Sequence, residues 1–449
     1  MGKAPSLVYS DRTDIGRRRA NNQDSKAVLP AHGQQQRARG WLFLVADGMG
    51  AHAAGELASA IAADRVPKIY DEQSHYSPPL ALRNSIEQAN GEIFTKGESG
   101  FEHKGMGTTC TVLVLHPRGA ILGHVGDSRA YRVRGRRIEQ LSRDHSLVWE
   151  LETAGGMSRE QANDAAPKNI ITRSMGPHAH VDVDLEGPFP VKAGDVYVLC
   201  SDGLSGQVRD EEIGLFAAEL EPPDATAALV GLALVRGAPD NVTVIAAKAG
   251  EDEATRASRN DEPWPLSEQA TSQRRQNHRS WIALAVAAAA MLVAMMSNPR
   301  SMLTAEACKQ SATIHAICLF GSLFALMAAI AALLFAFVGL LASGKSRGRL
   351  LAVGDVLGRG PYRDYDSTPS EPLLEGVLTS LDAAAEMLSP ADRERTIGIL
   401  ARARQHAAAG AFHEAVTATA EAIAIHTRAV EDSRRDDTIR AAPAPHPGK

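Results

Sequence analysis

The first half of the chain contains four aspartates at the ends of apolar, strand-like runs: Asp47, Asp127, Asp202 and Asp240. Asp47 and Asp202 each follow such a run and precede a glycine. Asp-Gly pairs are individually common in turns, but glycine also lets a main-chain carbonyl approach a ligand closely. Several carboxylates without an accompanying cluster of histidine or cysteine suit a hard, oxygen-seeking cation. The pattern therefore predicts Mg²⁺ or Mn²⁺ ligands and argues against a zinc site.

Two such ions close together stabilise in-line displacement at phosphorus, which makes phosphate ester hydrolysis the chemistry to consider. A phosphate substrate also needs a cation outside the metal pair, preferably a guanidinium that contacts two oxygens. The candidates are Arg17, Arg18 and Arg19. Cys110 and Cys200 lie inside apolar runs, so we expect buried, inert thiols and no cysteine nucleophile.

The elements that must position these side chains belong to a chain of 449 residues, long enough for several domains. The net charge of −5 argues against a nucleic-acid-binding protein that relies on a generally basic surface. Four cysteines without a CxxC pair exclude a disulfide framework and a cysteine-based zinc module. Residues 1–250 alternate strand-like runs with turns and a few amphipathic helices, which predicts one large domain.

Eight motifs in this region resemble, in order, those of the PP2C-type (PPM) metal-dependent protein serine/threonine phosphatases, in particular their bacterial branch. The resemblance covers residues 5–249. The matching positions are Arg19 with Asn22–Ser25, Asp47–Gly50 continuing through His52 to Glu56, Gly105–Thr109, Gly126–Arg129, Asp144–Leu147, Asn169–Arg173, Ser201–Leu204 and Asp240–Asn241.

The resemblance implies an α+β fold, an α/β/β/α sandwich in which helices flank two antiparallel sheets. It implies that Asp47 bridges two metal ions and that Gly48 offers its carbonyl to one of them. Asp202 and Asp240 would complete the metal shell. Asp24 would act through a bound water, and Arg19 would hold the substrate phosphate. The implied reaction is hydrolysis of phosphoserine or phosphothreonine by a water activated by two Mn²⁺ or Mg²⁺ ions, without a phosphoenzyme.

Two features of the sequence bear on details of this site. Gly206 stands where the family commonly has an aspartate that, with Asp127, helps to hold a third metal ion, so a weak or absent third ion is expected. Residues 144–176 correspond to the mobile flap of the family. Within this flap, His145 and Arg173 either contact the substrate or pack the flap against the domain.

Two apolar blocks in the second half, residues 281–297 and 314–342, predict a transmembrane helical hairpin over 280–343. A buried soluble helix is the alternative for the shorter, alanine-rich first block. Basic residues concentrate outside the hairpin, at 274–279 and 345–349, whereas the connecting loop holds only Arg300 and Lys309. Positively charged flanks stay in the cytoplasm, so this pattern predicts a two-span protein of the inner membrane with both termini cytoplasmic.

The other segments are assigned from composition. Residues 251–279 resemble a polar linker and 344–372 an irregular juxtamembrane segment. The alanine-rich stretch 373–430 predicts a cytoplasmic helical segment, either a plain helical hairpin or one tetratricopeptide-like pair. Residues 431–449 lack an apolar face, which predicts a disordered tail.

The sequence as a whole therefore predicts a membrane-anchored protein serine/threonine phosphatase. Its expected partners are phosphoserine and phosphothreonine proteins, a cognate serine/threonine kinase and the lipid bilayer, with no nucleic acid. The alternative is a catalytically weak scaffold that uses the phosphatase fold to bind phosphoproteins at the membrane. Retention of Arg19, Asp47, Asp202 and Asp240 together favours the enzyme.

Overall fold

The structure is a computed structural model that describes residues 7–30, 39–50, 54–166, 170–256, 261–297, 312–343 and 349–441. The chain forms two compact units. Unit 1 comprises residues 1–74, 81–261 and 353–449, and unit 2 comprises residues 75–80 and 262–352. The motif residues His52 and Asn169 lie outside the described residues.

Unit 1 contains two antiparallel sheets in its described part. Sheet 1 has the strand order β1-β11-β10-β7-β8-β14. Its strands are β1 (Leu7–Asp14), β7 (Arg129–Arg134), β8 (Arg137–Gln140), β10 (Val196–Cys200), β11 (Val242–Ala249) and β14 (Arg363–Asp366). Sheet 2 has the order β2-β3-β5-β6-β9, and β4 pairs with the end of β3. Its strands are β2 (Asp24–Leu29), β3 (Trp41–Met49), β4 (Gly107–Thr108), β5 (Cys110–His116), β6 (Gly119–Val125) and β9 (Asp184–Phe189).

The two sheets pack face to face because their central strands carry apolar side chains on the inner face. Phe43 and Leu113 of sheet 2 share one fully buried core with Tyr197, Leu199 and Ile245 of sheet 1. Neighbouring strands pair without shifts in register in sheet 1, from Leu7 opposite Ala249 to Asp14 opposite Val242. This core fixes the two sheets relative to each other, and therefore the strand ends on which the functional side chains lie.

Helices cover the outer faces of both sheets. Those of the first 250 residues are α1 (Ala54–Glu72), α2 (Pro78–Glu98), α3 (Leu147–Gly155), α4 (Arg159–Ala165), α5 (Asp202–Ser205), α6 (Asp210–Glu219) and α7 (Pro222–Val235). Helix α1 packs on β2 and β3 of sheet 2, whereas α6 and α7 pack on sheet 1. The predicted α/β/β/α sandwich is therefore present in unit 1.

The segment after residue 353 is part of unit 1, so this unit extends beyond residue 250, the predicted end of the phosphatase domain. The stretch 344–372, interpreted as irregular, contains β14, which pairs with β8 and extends sheet 1. The helical segment consists of α10 (Glu371–Ala385), α11 (Pro390–Ala408) and α12 (Phe412–Ala441). Leu378 of α10 and Ile423 of α12 are buried in the same core cluster as Leu229 of α7. The apolar faces of these helices are buried against the outer face of α7.

The predicted disordered tail is also partly wrong, because α12 continues through residues 431–441. Arg434 explains this continuation. Its guanidinium donates to both carboxylate oxygens of Asp14 at 3.0 Å and to the main-chain oxygen of Gly16 at 2.6 Å. Residues 442–449 lie outside the described residues.

Unit 2 contains two long helices that pack against each other, α8 (Glu268–Ser297) and α9 (Ala312–Ser343), and a short pair of strands, β12 (Trp264–Pro265) and β13 (Leu350–Leu351). Helix α8 begins within the stretch 251–279 predicted as a linker, which corrects that boundary. The predicted spans 281–297 and 314–342 fall within α8 and α9. Among the residues that the structure describes, no helix is both long and apolar enough to cross a membrane. The predicted membrane anchor is therefore not confirmed.

Candidate active site

The four aspartates singled out in the sequence lie at one edge of the sandwich. Neighbouring antiparallel strands run in opposite directions, so the end of one strand lies beside the start of the next. Asp47 lies near the end of β3, and Asp202 lies just beyond the end of β10. Asp127 and Asp240 precede β7 and β11, the two sheet neighbours of β10. Loops and strand ends that are up to 193 positions apart in the chain therefore meet at one end of the sandwich.

Sheet 2 positions Asp47 and Asp24 as direct neighbours. Asp24 is opposite Asp47 in the antiparallel pairing of β2 and β3, so both side chains project from the same face. The backbone of Asp47 is held from the other side by Thr109, whose hydroxyl accepts the Asp47 N–H at 2.8 Å and whose own N–H donates to the Asp47 carbonyl at 2.8 Å. Gly48 is required next, because a Cβ at this position would lie 2.1 Å from the carbonyl oxygen of Gly55.

Sheet 1 positions Asp202 and Asp240 through contacts made by Asn241. Gly203 passes so close to Asn241 that a Cβ at Gly203 would lie 1.9 Å from the Asn241 carbonyl oxygen. The Asn241 side chain accepts the N–H of Gln23 at 2.8 Å and donates to the carbonyls of Ile15 and Asn21. One amide thus fixes the loop before β2 to the start of β11. Sequence reasoning assigned no role to Asn241.

Burial, more than repulsion between like charges, controls the ionisation of this cluster of carboxylates. Burial, followed by the neighbouring charges of Asp24, Asp202 and Asp127, raises the pKa of Asp47 well above its ordinary value. Burial likewise raises the pKa of Asp127 and Asp202. Burial raises the pKa of Asp24 to about 7, although hydrogen bonds from Thr243 and Ser201 oppose the shift. A bound cation is what would allow these groups to ionise together at neutral pH.

The residues fit a site for hard divalent cations. No three or more acidic, histidine or cysteine side chains of the described part already converge as they would around an ion. However, Asp47 and Asp202 are close enough to share a hydrogen bond. Three buried carboxylate oxygens, Oδ1 of Asp24, Asp127 and Asp202, have no hydrogen-bond partner among the described residues. Unsatisfied, clustered carboxylate oxygens are the donor set that Mg²⁺ and Mn²⁺ prefer.

The structure places Arg19 at this cluster. Its Nη2 donates to Oδ2 of Asp240 at 2.6 Å, and 48% of its side chain is exposed. This hydrogen bond to Asp240 raises the pKa of the arginine further. Arg19, Asp127, Asp202 and Asp240 line one cleft of about 680 Å³. Arg19 is therefore the arginine of the predicted trio that lines this cleft next to the carboxylates.

Gly206 also lines this cleft, on the same wall as Asp127 and Asp202. It provides no side chain there, and its N–H donates to the carbonyl of Asp202 at 2.7 Å. The prediction of a weak or absent third metal ion therefore stays a prediction, with Asp127 as its remaining carboxylate.

His145 and Arg173 of the flap pack against the domain. The His145 ring is buried, its Nδ1 accepts the N–H of Gly126 at 3.0 Å, and its Nε2 lies 2.9 Å from Oδ2 of Asp184. Arg173 donates to Oδ1 of Asp184 at 2.5 Å. Burial opposes ionisation of Asp184, but the hydrogen bonds and charges of His145 and Arg173 hold its pKa below the ordinary range. This geometry favours the packing alternative over contact with substrate.

Among the cleft residues that the sequence did not indicate is Arg363 of β14. Nothing in its local sequence marks it, since it lies more than 110 positions beyond β11. Only the pairing of β14 with β8 brings it to the cleft.

Three comparisons bear on this arrangement. A family model described as protein phosphatase 2C matches residues 16–227. Protein phosphatase PhpP of Streptococcus pneumoniae is 34% identical over 255 residues, which are 54% of this chain and 97% of that protein. Serine/threonine phosphatase stp of Listeria monocytogenes is 33% identical over 239 residues, covering 52% of this chain and 92% of that protein.

Among solved structures, the serine/threonine phosphatase PstP/Ppp of Mycobacterium tuberculosis is 34% identical, with a TM-score of 0.48 over 55% of this chain and 99% of that one. The family match covers the segments that carry Asp24, Asp47, Asp127 and Asp202, and the PhpP match spans nearly the whole of that relative. The chain therefore belongs to the protein phosphatase 2C family and is a phosphoprotein phosphatase.

Proposed function

We propose that the chain hydrolyses phosphoserine and phosphothreonine in proteins with the help of two Mn²⁺ or Mg²⁺ ions. The observation that carries this proposal is the cluster of Asp24, Asp47, Asp202 and Asp240, of which Asp202 and Asp240 line one cleft together with Arg19. The relative from Listeria monocytogenes, which carries the name serine/threonine phosphatase, supports the choice of substrate residues.

Each residue of the cluster has a distinct part in this proposal. Asp47, Asp202, Asp240 and the carbonyl of Gly48 would hold the ions. When bound, the ions would supply Lewis acidity and an activated water for attack on phosphorus. Asp24, which accepts a hydrogen bond from Ser201 at 2.8 Å, would act through a bound water. Arg19 would orient the phosphate, because a guanidinium can contact two of its oxygens at once.

A covalent mechanism through Cys110 or Cys200 does not fit the structure. Cys110 and Cys200 are free and fully buried. Burial raises the pKa of each thiol to about 12. Neither residue is therefore a thiolate at neutral pH, and neither lines the cleft.

The test is phosphate release by the full chain from a phosphothreonine peptide and from p-nitrophenyl phosphate, with Mn²⁺, with Mg²⁺ and with EDTA. We expect metal-dependent release that Asp47→Asn and Asp202→Asn each reduce by about 100-fold or more, the scale expected when a metal's charge stabilisation is lost. Asp64→Asn, an exposed aspartate on α1, is the matched control and should leave the rate unchanged. Folded, metal-loaded protein without release would favour the phosphoprotein-binding scaffold.

Membrane attachment with cytoplasmic termini, and a serine/threonine kinase at the same membrane as partner, are further parts of the proposal. They rest on the apolar blocks 281–297 and 314–342, on their basic flanks and on the family resemblance. Membrane fractionation before and after a carbonate wash tests the attachment. Recovery of the full chain in the supernatant without the wash would contradict it.

A further inference from the structure

Part of the cleft wall comes from the C-terminal segment of the chain. Arg363 lines the cleft together with Arg19, Asp202 and two residues at the start of the flap helix α3, Ser146 and Val148. The family match ends at residue 227, so Arg363 lies outside the matched region.

Arg363 belongs to a strap, here defined as residues 357–366, which is fastened to the domain along its length. Leu357 exchanges two main-chain hydrogen bonds with Gly187. Oε2 of Glu186 accepts the N–H groups of Arg359 and Gly360, each at 2.9 Å, and Oε1 accepts the Tyr362 hydroxyl at 2.6 Å. Three donors on one buried carboxylate make this a strong attachment, because a hydrogen bond to a charged acceptor is stronger than one to a neutral acceptor.

The strap continues as β14, whose pairing with β8 sets the direction of each side chain. Tyr365 is opposite Ile138 and Asp364 is opposite Glu139. Arg363 is opposite Gln140, at the end of β8 that lies nearest the flap, and the N–H of Tyr362 donates to the Gln140 carbonyl at 2.8 Å. The register therefore fixes the position of Arg363.

Arg363 uses this fixed position to contact α3 of the flap. Its guanidinium lies 4.0 Å from the centre of the Trp149 ring, a cation–π contact, and one of its nitrogens pairs with the Glu152 carboxylate. Tyr362 meets the same Trp149 ring edge-on, with ring centres 6.0 Å apart. Only 11% of the Arg363 side chain and 25% of the Glu152 side chain are exposed, so solvent screens the pair less than it screens a surface pair.

We propose that Arg363 is a positioning residue, which through Trp149 and Glu152 holds the flap helix α3 beside the cleft and so sets the affinity for phosphoprotein substrates. Ser146 and Val148 at the start of α3 line the cleft, so displacement of the helix changes the surface that a protein substrate meets. This inference rests on the proposed phosphatase function. It makes the C-terminal segment part of the substrate-binding machinery.

The test compares the full chain with Arg363→Ala, Arg363→Lys and the control Arg137→Ala. Arg137 lies in the paired strand β8 and donates to Asp364 at 2.9 Å, but its side chain is 59% exposed and does not line the cleft. The measurements are kcat and KM for a phosphothreonine peptide and for p-nitrophenyl phosphate with Mn²⁺. Amide hydrogen exchange over residues 147–166 is measured on the same proteins.

We expect Arg363→Ala to raise KM for the phosphopeptide roughly five- to tenfold with kcat changed less than about twofold, since a positioning contact acts mainly on binding. The rise in KM for p-nitrophenyl phosphate should be at least about threefold smaller, because this compound has no peptide to meet the flap. Exchange over 147–166 should accelerate. Arg363→Lys keeps the charge and should recover part of the effect, and Arg137→Ala should match the wild type.

Unchanged KM together with unchanged exchange over 147–166 would overturn the inference. Equal losses on both substrates would also overturn it, because they would indicate general damage to the active site. If the wild type itself released no phosphate, the proposed function would fail. In that case accelerated exchange in Arg363→Ala alone would still support the coupling of the strap to the flap, and unchanged exchange would still refute it.

Discussion

At the scale of single residues, ionisable side chains around the active site fall into two classes. Those of the first class require a cation to ionise, and those of the second class already have charged and hydrogen-bonding partners in the fold. The carboxylates of Asp47 and Asp202 belong to the first class, because burial and then the charges of neighbouring carboxylates raise the pKa of both. Asp184 belongs to the second class, because His145 and Arg173 hold its pKa below the ordinary range against the effect of burial. Only the first class marks a binding site for an ion.

His124 gives a prediction for the dependence of stability on pH. Its Nδ1 lies 3.0 Å from the Thr111 hydroxyl and its Nε2 lies 2.9 Å from the carbonyl oxygen of Arg143, so the neutral ring is fully bonded. Burial, with the nearby His145, lowers the pKa of His124 to about 3. Between about pH 6.5 and pH 3 the unfolded chain binds a proton here that the folded chain does not, so acid destabilises the fold.

We therefore expect His124→Gln to remove a pH-dependent term from the free energy of unfolding. The wild type should lose up to about 1.4 kcal/mol more than the variant for each pH unit below about 6.5. Urea unfolding at pH 7.5, 6.0 and 5.0 measures this difference. A constant difference between wild type and variant at all three pH values would contradict the prediction.

At the scale of elements, the contact between α7 and α12 shows how the C-terminal helices attach to the sandwich. Gly231 of α7 lies against α12, where a Cβ would be 2.3 Å from Cγ2 of Ile423 and 2.6 Å from Oγ1 of Thr427. Both neighbours are β-branched and therefore stiff at χ1. The absence of a side chain at Gly231 thus permits the close packing of these two helices.

The prediction at this scale compares Gly231→Ala with the matched substitution Gly91→Ala. Both glycines are interior to helices, but a Cβ at Gly91 of α2 would meet nothing within 4 Å. Gly91→Ala should stabilise the protein by about 0.5–1 kcal/mol, because alanine is the better helix former. Gly231→Ala should instead destabilise it by about 1–3 kcal/mol through overpacking. Thermal and urea unfolding measure both effects, and two changes of the same sign would be inconsistent with the packing described here.

At the scale of the whole molecule, the phosphatase domain is not confined to the first 250 residues. β14 extends sheet 1, and Leu374, Leu381 and Leu400 of the C-terminal helices are almost completely buried in the cluster that includes the α7 residues. The Arg434–Asp14 pair further ties α12 to the strand that begins unit 1. Removal of this segment would expose a continuous apolar face.

We therefore expect residues 1–250 alone to be less stable than the full chain. Each large core side chain whose burial is lost costs about 1.5–3 kcal/mol, so several such losses exceed the reserve of a typical domain. The fragment should unfold at lower urea concentration or aggregate at concentrations where the full chain stays in solution. The same urea midpoint and the same solubility in both proteins would show that the C-terminal helices are an independent appendage.

The sequence by itself determined the family, the sandwich of two sheets and the identity of the clustered carboxylates. These features depend on local patterns, because Asp47 and Asp202 each end a strand-like run and each precede a glycine that the close backbone approaches require. Short stretches of sequence contain the strand periodicity and the turn residues. Eight such stretches in a fixed order are enough to recognise the family.

The tertiary structure decided what depends on pairing between distant segments. Three such pairings join residues far apart in the chain. Asp24 pairs with Asp47, Glu186 binds the strap, and the pairing of β14 with β8 places Arg363 at the cleft. The stretch that contains β14 appeared irregular in the sequence, because a short edge strand carries no apolar period and is stabilised by its neighbour β8. Packing against α7 likewise decided that the C-terminal helices form one core with the phosphatase sandwich.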